Sequence, residues 1–209
     1  MAIGVSLAQL SCSVFGIRSE ETPKYETLVS EDDKEVRSYS SYVVATTKVK
    51  GEFKEVQNEA FRILAGYIFG DNQKKQSISM TAPVVQSQTA EAQSEKISMT
   101  APVMQTATED GWTMSFMMPS KYKMEDLPRP NDQRIEFAQI PPRLYAVIRY
   151  SGRGRDSDNQ ERARELSDWI SKNKDYRAVS KASYAGFDPP WTIPFLRRNE
   201  MMIQLEAAN

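Results

Sequence analysis

The chain of 209 residues contains no histidine and only one cysteine, Cys12. The absence of histidine removes the commonest general base, the commonest pH switch and the commonest protein ligand for metal ions. A single cysteine excludes an intrachain disulfide and a thiolate-rich metal site. Any metal held by this chain therefore needs methionine, tyrosine or carboxylate ligands, or Cys12.

The chain also lacks an excess of either charge. Its 27 basic and 28 acidic residues give a net charge of −1 and are scattered, so no stripe for binding nucleic acid is predicted. Nucleophile elbows, phosphate-cradling glycine loops and spaced carboxylate clusters are missing, which argues against an enzyme. Hydrophobic residues make up 40% and charged residues 26%, as in ordinary globular domains.

The N-terminal residues 1–19 form an apolar tail without a charged residue before Arg18. The tail is too short and too often interrupted to span a bilayer, and it lacks the basic region of a secretory signal. Leu10-Ser11-Cys12-Ser13 resembles the end of a bacterial lipoprotein signal, in which the cysteine is acylated. Two interpretations stay open: a cell-envelope protein anchored by lipidation at Cys12, or a cytoplasmic protein with a frayed tail. Membrane contact is predicted only if Cys12 is acylated.

A seven-residue sequence occurs twice in the middle of the chain. Ile-Ser-Met-Thr-Ala-Pro-Val fills residues 78–84 and again residues 97–103, at an offset of 19 and around a polar spacer. Two apolar runs around a polar spacer predict a pair of neighbouring strands, with each proline at a strand end or bulge. We favour duplicated strand packing over a binding site, with Met80 and Met99 filling the core.

Alternating apolar residues predict strands, and apolar residues at spacings of three and four predict two helices. The predicted strands cover residues 25–29, 35–39, 42–49, 112–118, 134–140, 143–150, 182–187 and 200–205. The predicted helices cover residues 53–69 and about 158–173, and a hairpin loop is expected at residues 31–34.

The first predicted helix carries a second apolar stripe. Phe61, Ala65 and Ile68 lie apart from the main stripe, and Lys54 and Asn58 share their flank. A helix needs only one apolar stripe to dock on a sheet. The second stripe therefore either adds core contacts or lines a surface groove.

The second half of the chain echoes the first. An offset of 101 superposes residues 42–51 on residues 143–152, and it carries Ile68 and Phe69 onto Trp169 and Ile170. This pattern predicts an α+β fold, a distorted antiparallel β-barrel of two pseudo-symmetric sheet halves with one main helix packed in each half. We expect one domain over residues 20–206, with pseudo-repeats at about 20–119 and 132–206.

Several stretches together resemble the SOUL/haem-binding protein family, in order and with fitting spacing over residues 20–205. They are Glu-Thr-Pro-Lys-Tyr-Glu at 21–26, Glu-Val-Arg-Ser-Tyr at 35–39, Tyr-Val-Val-Ala at 42–45, Asn-Glu-Ala-Phe at 58–61, Met-Thr-Ala-Pro-Val at 80–84, Gly-Phe-Asp-Pro-Pro at 186–190 and Arg-Arg-Asn-Glu at 197–200. The resemblance implies the distorted barrel of two halves. It also implies a protein that binds haem or another tetrapyrrole in an open groove beside the first helix and is not a catalyst.

Some family members are thought to ligate haem iron through histidine, which this chain cannot do. The resemblance therefore implies binding through apolar contacts and basic residues, weak and exchangeable, as in a carrier or buffer, with no cofactor required for folding. The groove candidates are Lys54, Asn58, Phe61, Arg62, Ala65, Ile68, Phe187, Trp191 and Phe195. Of these, Lys54 and Arg62 are the expected propionate partners, and the three aromatic residues from Phe187 onward are the expected facing wall.

One alternative stays open at this point. The architecture also resembles bacterial effector-binding domains, so the chain would be a binding module for another hydrophobic ligand or for a protein partner. Acidic residues in the groove would favour a hydrophobic cation, and basic residues would favour a tetrapyrrole. Glu55 and Glu59 lie near Lys54 and Arg62, so the sequence leaves the sign of the charge open.

Overall fold

The computed structural model describes residues 20–51, 53–74, 94–108, 111–188 and 191–208, with the side chains of residues 53–55 left out. Its helices are α1 (Phe53–Ile68) and α2 (Asp156–Ser171). Its strands are β1 (Tyr25–Glu31), β2 (Lys34–Tyr39), β3 (Tyr42–Lys50), β4 (Asn72–Gln73), β5 (Val103–Ala107), β6 (Gly111–Met117), β7 (Arg129–Pro130), β8 (Ile135–Ile140), β9 (Arg143–Tyr150), β10 (Tyr176–Ala178), β11 (Ser183–Gly186) and β12 (Asn199–Ala207).

Ten strands form one curled antiparallel sheet. Nine of them follow the order β1-β2-β9-β12-β11-β5-β6-β3-β8, and β10 pairs with β12 beside this path. β2 ends at Tyr39 and β3 begins at Tyr42, although the two strands lie near opposite ends of the path. Three residue steps span at most about 11 Å. The ends of the path must therefore approach each other, and the predicted α+β distorted barrel is confirmed.

The strand order confirms two related halves and shows that they exchange a strand. Outward from the centre, one side reads β11, β12, β9 and β2, and the other reads β5, β6, β3 and β8. β2 directly precedes β3 in the chain but pairs with β9, whereas β8 directly precedes β9 but pairs with β3. Each half thus receives its outer strand from the other half.

A glycine follows the corresponding strand in each half. β3 and β9 begin 101 residues apart, and Gly51 and Gly152 follow them with φ of 125° and 121°. Only glycine adopts such angles without strain. α1 and α2, however, begin 103 residues apart. The predicted pairing of Ile68 with Trp169 is therefore wrong, because two additional residues precede α2 and shift every later position.

Alternation along the strands divides the apolar residues among three clusters. On β9, Ala146 and Ile148 pack in the cluster with α2, whereas the intervening Val147 packs in a separate cluster inside the barrel. On β3, Val43 and Ala45 pack in the cluster with α1. The helices therefore cover the outer face of the sheet, and the barrel interior has a core of its own.

The second copy of the repeated sequence is not a strand. Residues 97–102 belong to no strand, Thr100 forms only an isolated bridge to Glu21, and β5 begins at the final residue of the copy. Ile97 donates its backbone N–H to Ile68 and Ala101 donates to Glu21, so the copy bonds to a helix end and an N-terminal segment. The predicted core position of Met99 is wrong, since this side chain is 42% exposed. The first copy, with Met80, lies outside the described residues.

Neither described helix combines the length and the hydropathy that a membrane-spanning helix needs. Cys12 lies in residues 1–19, outside the described part of the chain. The prediction about its acylation therefore stays a prediction.

Two glycines provide a matched pair of alanine substitutions. A Cβ at Gly66, inside α1, would meet only Asp71 at 3.7 Å, whereas a Cβ at Gly111 would come within 2.1 Å of the Val49 carbonyl oxygen. We expect Gly66→Ala to raise the free energy of unfolding by about 0.5–1 kcal/mol. Gly111→Ala should lower it by more than about 1 kcal/mol, because β3 and β6 must separate. Urea unfolding of both variants tests this, and an unchanged midpoint for Gly111→Ala would contradict the register of this pair.

Candidate functional site

α1 has one face packed on the sheet and one flank towards solvent. The packed face carries apolar residues at spacings of three and four, which is the pattern of a helix lying on a core. Its buried members are Val56, Ala60, Ile63, Leu64 and Tyr67. Tyr67 also donates its hydroxyl to the Pro128 carbonyl at 3.1 Å, which ties the end of α1 to the loop before β7.

The opposite flank combines exposed aromatic and polar side chains. Phe61 is 38% exposed, and its ring lies 5.5 Å from that of Phe116 on β6. Asn58 and Arg62 are exposed on the same flank, and Ala65 follows one turn later. Phe69, just beyond the helix end, is 59% exposed and continues the spacing. The sequence analysis missed Phe69, although its position four residues after Ala65 was a usable signal.

The charge on this flank is basic among the described side chains. Glu59 lies about 160° around the helix from Phe61, and it accepts a hydrogen bond at 2.8 Å from the Arg134 guanidinium, which also pairs with Asp132. Arg62 bonds only to the backbone carbonyl of Asn58, at 3.4 Å, among the contacts of the described residues. Lys54 lies in α1, but the structure does not describe its side chain. The sequence left the sign of the charge on this flank open. The described side chains make the surface beside Phe61 basic, which favours an anionic group of a ligand.

The other groove candidates lie elsewhere. Ile68 is 2% exposed and belongs to the core under α1, whereas Ala65 stays on the flank with only 9% of its surface exposed. Phe187 packs inside the barrel, on the opposite face of the sheet from α1. Trp191 and Phe195 are exposed on a loop whose Pro194 carbonyl accepts from Gly152, near the start of α2. The structure therefore brings together Asn58, Phe61, Arg62 and Ala65, and it does not place the expected facing wall opposite them.

A buried ion cluster lies in the barrel interior, and Arg37 is the member that sequence reasoning missed. Glu200 is fully buried, and its two oxygens accept from Arg37 at 2.9 Å and from Arg198 at 2.6 Å. Arg37 also lies 4.4 Å from the Tyr25 ring centre, and Arg198 lies 4.1 Å from that of Phe187. Burial alone would lower the pKa of Arg37, but the charge of Glu200 keeps that pKa raised. The signal was available, since Arg37 and Glu200 are each two residues from an interior side chain on the same strand.

Tyrosines surround this cluster. Burial raises the pKa of Tyr39, and the neighbouring Arg37 only partly opposes that rise. Burial likewise raises the pKa of Tyr42, to which Tyr145 adds through a hydrogen bond. These hydroxyls therefore stay protonated at neutral pH and act as hydrogen-bonding groups rather than as phenolate ligands.

The described residues do not assemble a metal site. They contain no group of three histidine, cysteine, aspartate or glutamate side chains within reach of one ion. What α1 offers instead is an exposed aromatic ring, small apolar neighbours and a guanidinium. Such a surface suits a flat apolar molecule that carries carboxylates.

The fold defines a class of proteins built as a curled barrel of two related halves. The chain belongs to the family described as SOUL heme-binding protein, whose sequence profile matches residues 20–95 and residues 87–204. The resemblance inferred from the sequence is therefore confirmed, and the chain is placed in a haem-binding family rather than in a family of enzymes.

Individual relatives agree with this assignment. The chain is 28% identical over 181 residues to Heme-binding protein 1 of Xenopus tropicalis, covering 83% of this chain and 87% of that protein. It is 25% identical to Heme-binding protein 1 of Xenopus laevis, with the same coverage. The crystal structure of the EcmrR C-terminal domain superposes with a TM-score of 0.57 at 12% identity, covering 87% of this chain and 98% of that domain. This last likeness shows the fold alone.

The buried ion cluster predicts that replacing Glu200 by an uncharged residue of similar size lowers the stability of the fold. Glu200→Gln removes the buried carboxylate that pairs with Arg37 and with the half-buried Arg198, and leaves Arg37 only its ion pair with Glu35. We therefore expect the free energy of unfolding to fall by about 3 kcal/mol. Glu136→Gln is the control, because its pair with Lys48 is exposed. Urea unfolding should show a clear loss for the first variant and no measurable change for the second. Equal midpoints would contradict a structural role for the cluster.

The buried tyrosines predict a loss of stability in alkali. Unfolded tyrosine releases its proton near pH 10, whereas the raised pKa values of Tyr39, Tyr42 and Tyr150 keep these residues protonated in the folded chain. Their contribution is complete below about pH 10 and falls above it, by about 1.4 kcal/mol per pH unit for each tyrosine. Urea midpoints measured across this range test the slope, and Tyr42→Phe should reduce it. Ionisation of all nine tyrosines near pH 10 without unfolding would contradict this expectation.

Proposed function

We propose that this protein binds haem or a related tetrapyrrole on the exposed flank of α1, without a histidine ligand, and serves as a carrier or buffer rather than as a catalyst. The observation that carries the proposal is the exposed ring of Phe61 beside the exposed guanidinium of Arg62. Membership in the SOUL heme-binding protein family supports the ligand class.

The residues of the flank have separate roles in this proposal. Phe61 and Phe69 offer ring faces to the macrocycle, and Ala65 between them is small enough to let a flat molecule approach the helix. Phe116 packs against Phe61 from the sheet side, at 5.5 Å between ring centres, and limits its rotation. An aromatic ring that is held in place loses less conformational entropy on binding.

Arg62 is the proposed partner of the propionate carboxylates. Its contact with the Asn58 carbonyl is long, so the guanidinium can turn towards a ligand at little cost. Glu59, the nearby acidic residue, lies about 160° around the helix from Phe61 and pairs with Arg134, so its carboxylate is away from the proposed ligand. Lys54, one helical turn before Asn58, is a second candidate cation on sequence grounds.

The lack of histidine shapes the expected behaviour of the complex. Bound haem supplies redox and axial-ligand chemistry, and no histidine of this chain can tune it. Affinity then rests on apolar contact and one or two charge-assisted hydrogen bonds on an open surface. A ligand held in this way exchanges readily, which suits transfer or buffering.

The alternative of an effector module for a hydrophobic cation receives less support. Such a ligand requires an uncompensated carboxylate beside the apolar surface. Glu59, the described carboxylate of α1, lies about 160° around the helix from Phe61 and shares the Arg134 guanidinium with Asp132. The tetrapyrrole remains the better match to a flank that combines an aromatic ring with a guanidinium.

A haemin titration followed by Soret absorbance tests the proposal. We expect a saturable one-to-one change whose spectrum lacks bis-histidine character. Phe61→Asp should weaken binding about 10- to 100-fold, because it removes a ring contact and adds a like charge near the propionates. Arg62→Glu should weaken it about tenfold or more. Leu28→Asp is the matched control, since Leu28 is a similarly exposed apolar residue on β1, at 43%.

Three results would count against the α1 flank. They are the absence of a saturable change, equal affinity for Phe61→Asp and the unaltered protein, and an equal loss for Leu28→Asp. Circular dichroism on each variant excludes unfolding as the cause.

A further inference from the structure

The barrel interior contains an apolar pocket, on the face of the sheet opposite to the α1 flank. Tyrosine, methionine and phenylalanine side chains make up most of its wall, namely Tyr39, Tyr42, Met104, Met117, Phe187 and Met202. Thr22 and Pro23 lie at its rim. The pocket shares only Phe187 with the groove candidates named above, so it is a separate site.

An open, more polar depression adjoins this pocket. Tyr25 and Tyr39 line both spaces, so their rings form the partition between them. The two ring centres are 5.1 Å apart, and Tyr25 is 39% exposed whereas Tyr39 is buried. Tyr25 is therefore the half of the partition that lies between the interior and solvent.

The segment that carries the rim residues is fastened at both ends. Ala101 donates its N–H to the Glu21 carbonyl at 3.0 Å, and the Glu21 carboxylate accepts from the Ser120 N–H at 3.0 Å. At the other end, Ser40 donates to the Lys24 carbonyl at 3.1 Å. These hydrogen bonds hold Thr22 and Pro23 at the rim of the pocket.

The charges below the pocket are already balanced. Both oxygens of Glu200 are occupied, one by Arg37 and one by Arg198, and Glu35 also accepts from Arg37. Two carboxylates therefore balance the two guanidinium groups, and Glu200 is not open to a cationic ligand. The two guanidinium groups are held in turn by that carboxylate and by the faces of Tyr25 and Phe187. An ion of either sign would therefore lose its hydration without gaining a partner.

We propose that the barrel interior is a binding pocket for a small, uncharged, planar aromatic molecule that enters from the depression past Tyr25. Rings of Tyr39 and Phe187 offer stacking faces, and tyrosine hydroxyls offer hydrogen bonds to one polar atom of the ligand. The pocket has little open space, so binding requires side chains to move. The three methionines suit this requirement, because an unbranched thioether chain adapts its shape at low cost.

Fluorescence titration with neutral N-phenyl-1-naphthylamine tests the pocket. We expect a saturable, blue-shifted, one-to-one signal, with at least tenfold weaker binding of the anionic 8-anilinonaphthalene-1-sulfonate. Thr22→Trp at the exposed rim should weaken binding of the neutral probe at least tenfold by covering the entrance. Met104→Phe should do so by filling the interior. Tyr25→Ala should speed association several-fold, and Leu28→Ala on the same strand should not.

The same variants separate this site from the α1 flank. Phe61→Asp should leave the neutral probe's affinity unchanged, and Thr22→Trp should leave haemin binding unchanged. Equal binding of the neutral probe before and after Thr22→Trp would overturn the proposal. So would loss of the probe in Phe61→Asp, its displacement by haemin at one-to-one ratio, tighter binding of the anionic probe, or no saturable signal. If Met104→Phe does not fold, the Thr22→Trp variant, whose substitution is at an exposed position, still tests whether the probe binds in the barrel pocket.

Discussion

Two short connections control the shape of the whole molecule. Ser40 and Ser41 join β2 to β3, and Pro141 and Pro142 join β8 to β9, in each case between strands near opposite ends of the sheet. A flat sheet cannot satisfy such links, because two residues span only about 11 Å between the strands they join. The curl that follows creates an enclosed interior and an outer face. Both helices dock on that outer face, so the α1 flank and the barrel pocket are separated by the sheet itself.

Local chemistry made most individual elements predictable. Alternation located the long strands within two residues, and the turn at Asp32, with φ of 53°, lies where the acidic hairpin loop was expected. The short strand β10 carried no apolar pattern, and its pairing depends on its neighbour β12. The exchange of β2 and β8 between the halves could not be predicted from the sequence either, because strand order depends on contacts between residues far apart in the chain. The prediction for Met99 was wrong because the path of its segment is set by backbone hydrogen bonds to Ile68 and Glu21. An apolar side chain gives no information about those bonds.

Some residues of the candidate site could be predicted from the sequence, and others could not. Asn58, Phe61 and Arg62 share a flank because helical periodicity alone places them there, and that much was accessible to sequence reasoning. Phe187 was not, because the side of the sheet it faces depends on the pairing of β11 with β5 and β12. Sequence reasoning did not mark Arg37 as buried, because charged residues are rarely buried unless they are paired. The position of Arg37 and Glu200 in phase with Tyr39 and Met202 shows that charge and burial coincide where partners from distant strands meet.

The exchange of outer strands also bears on how the chain reaches its folded state. β9 cannot complete its pairing until β2, more than a hundred residues earlier, is in place, and β3 waits for β8 from the later half. Neither half is a self-sufficient folding unit, so the nascent chain must hold an unpaired β3 edge until most of the sequence has been made. Folding that depends on such distant pairings is slow and favours a single cooperative step late in synthesis. Two fragments cut in the loop before β8 would each be incomplete alone and would have to assemble as a complex to recover the barrel.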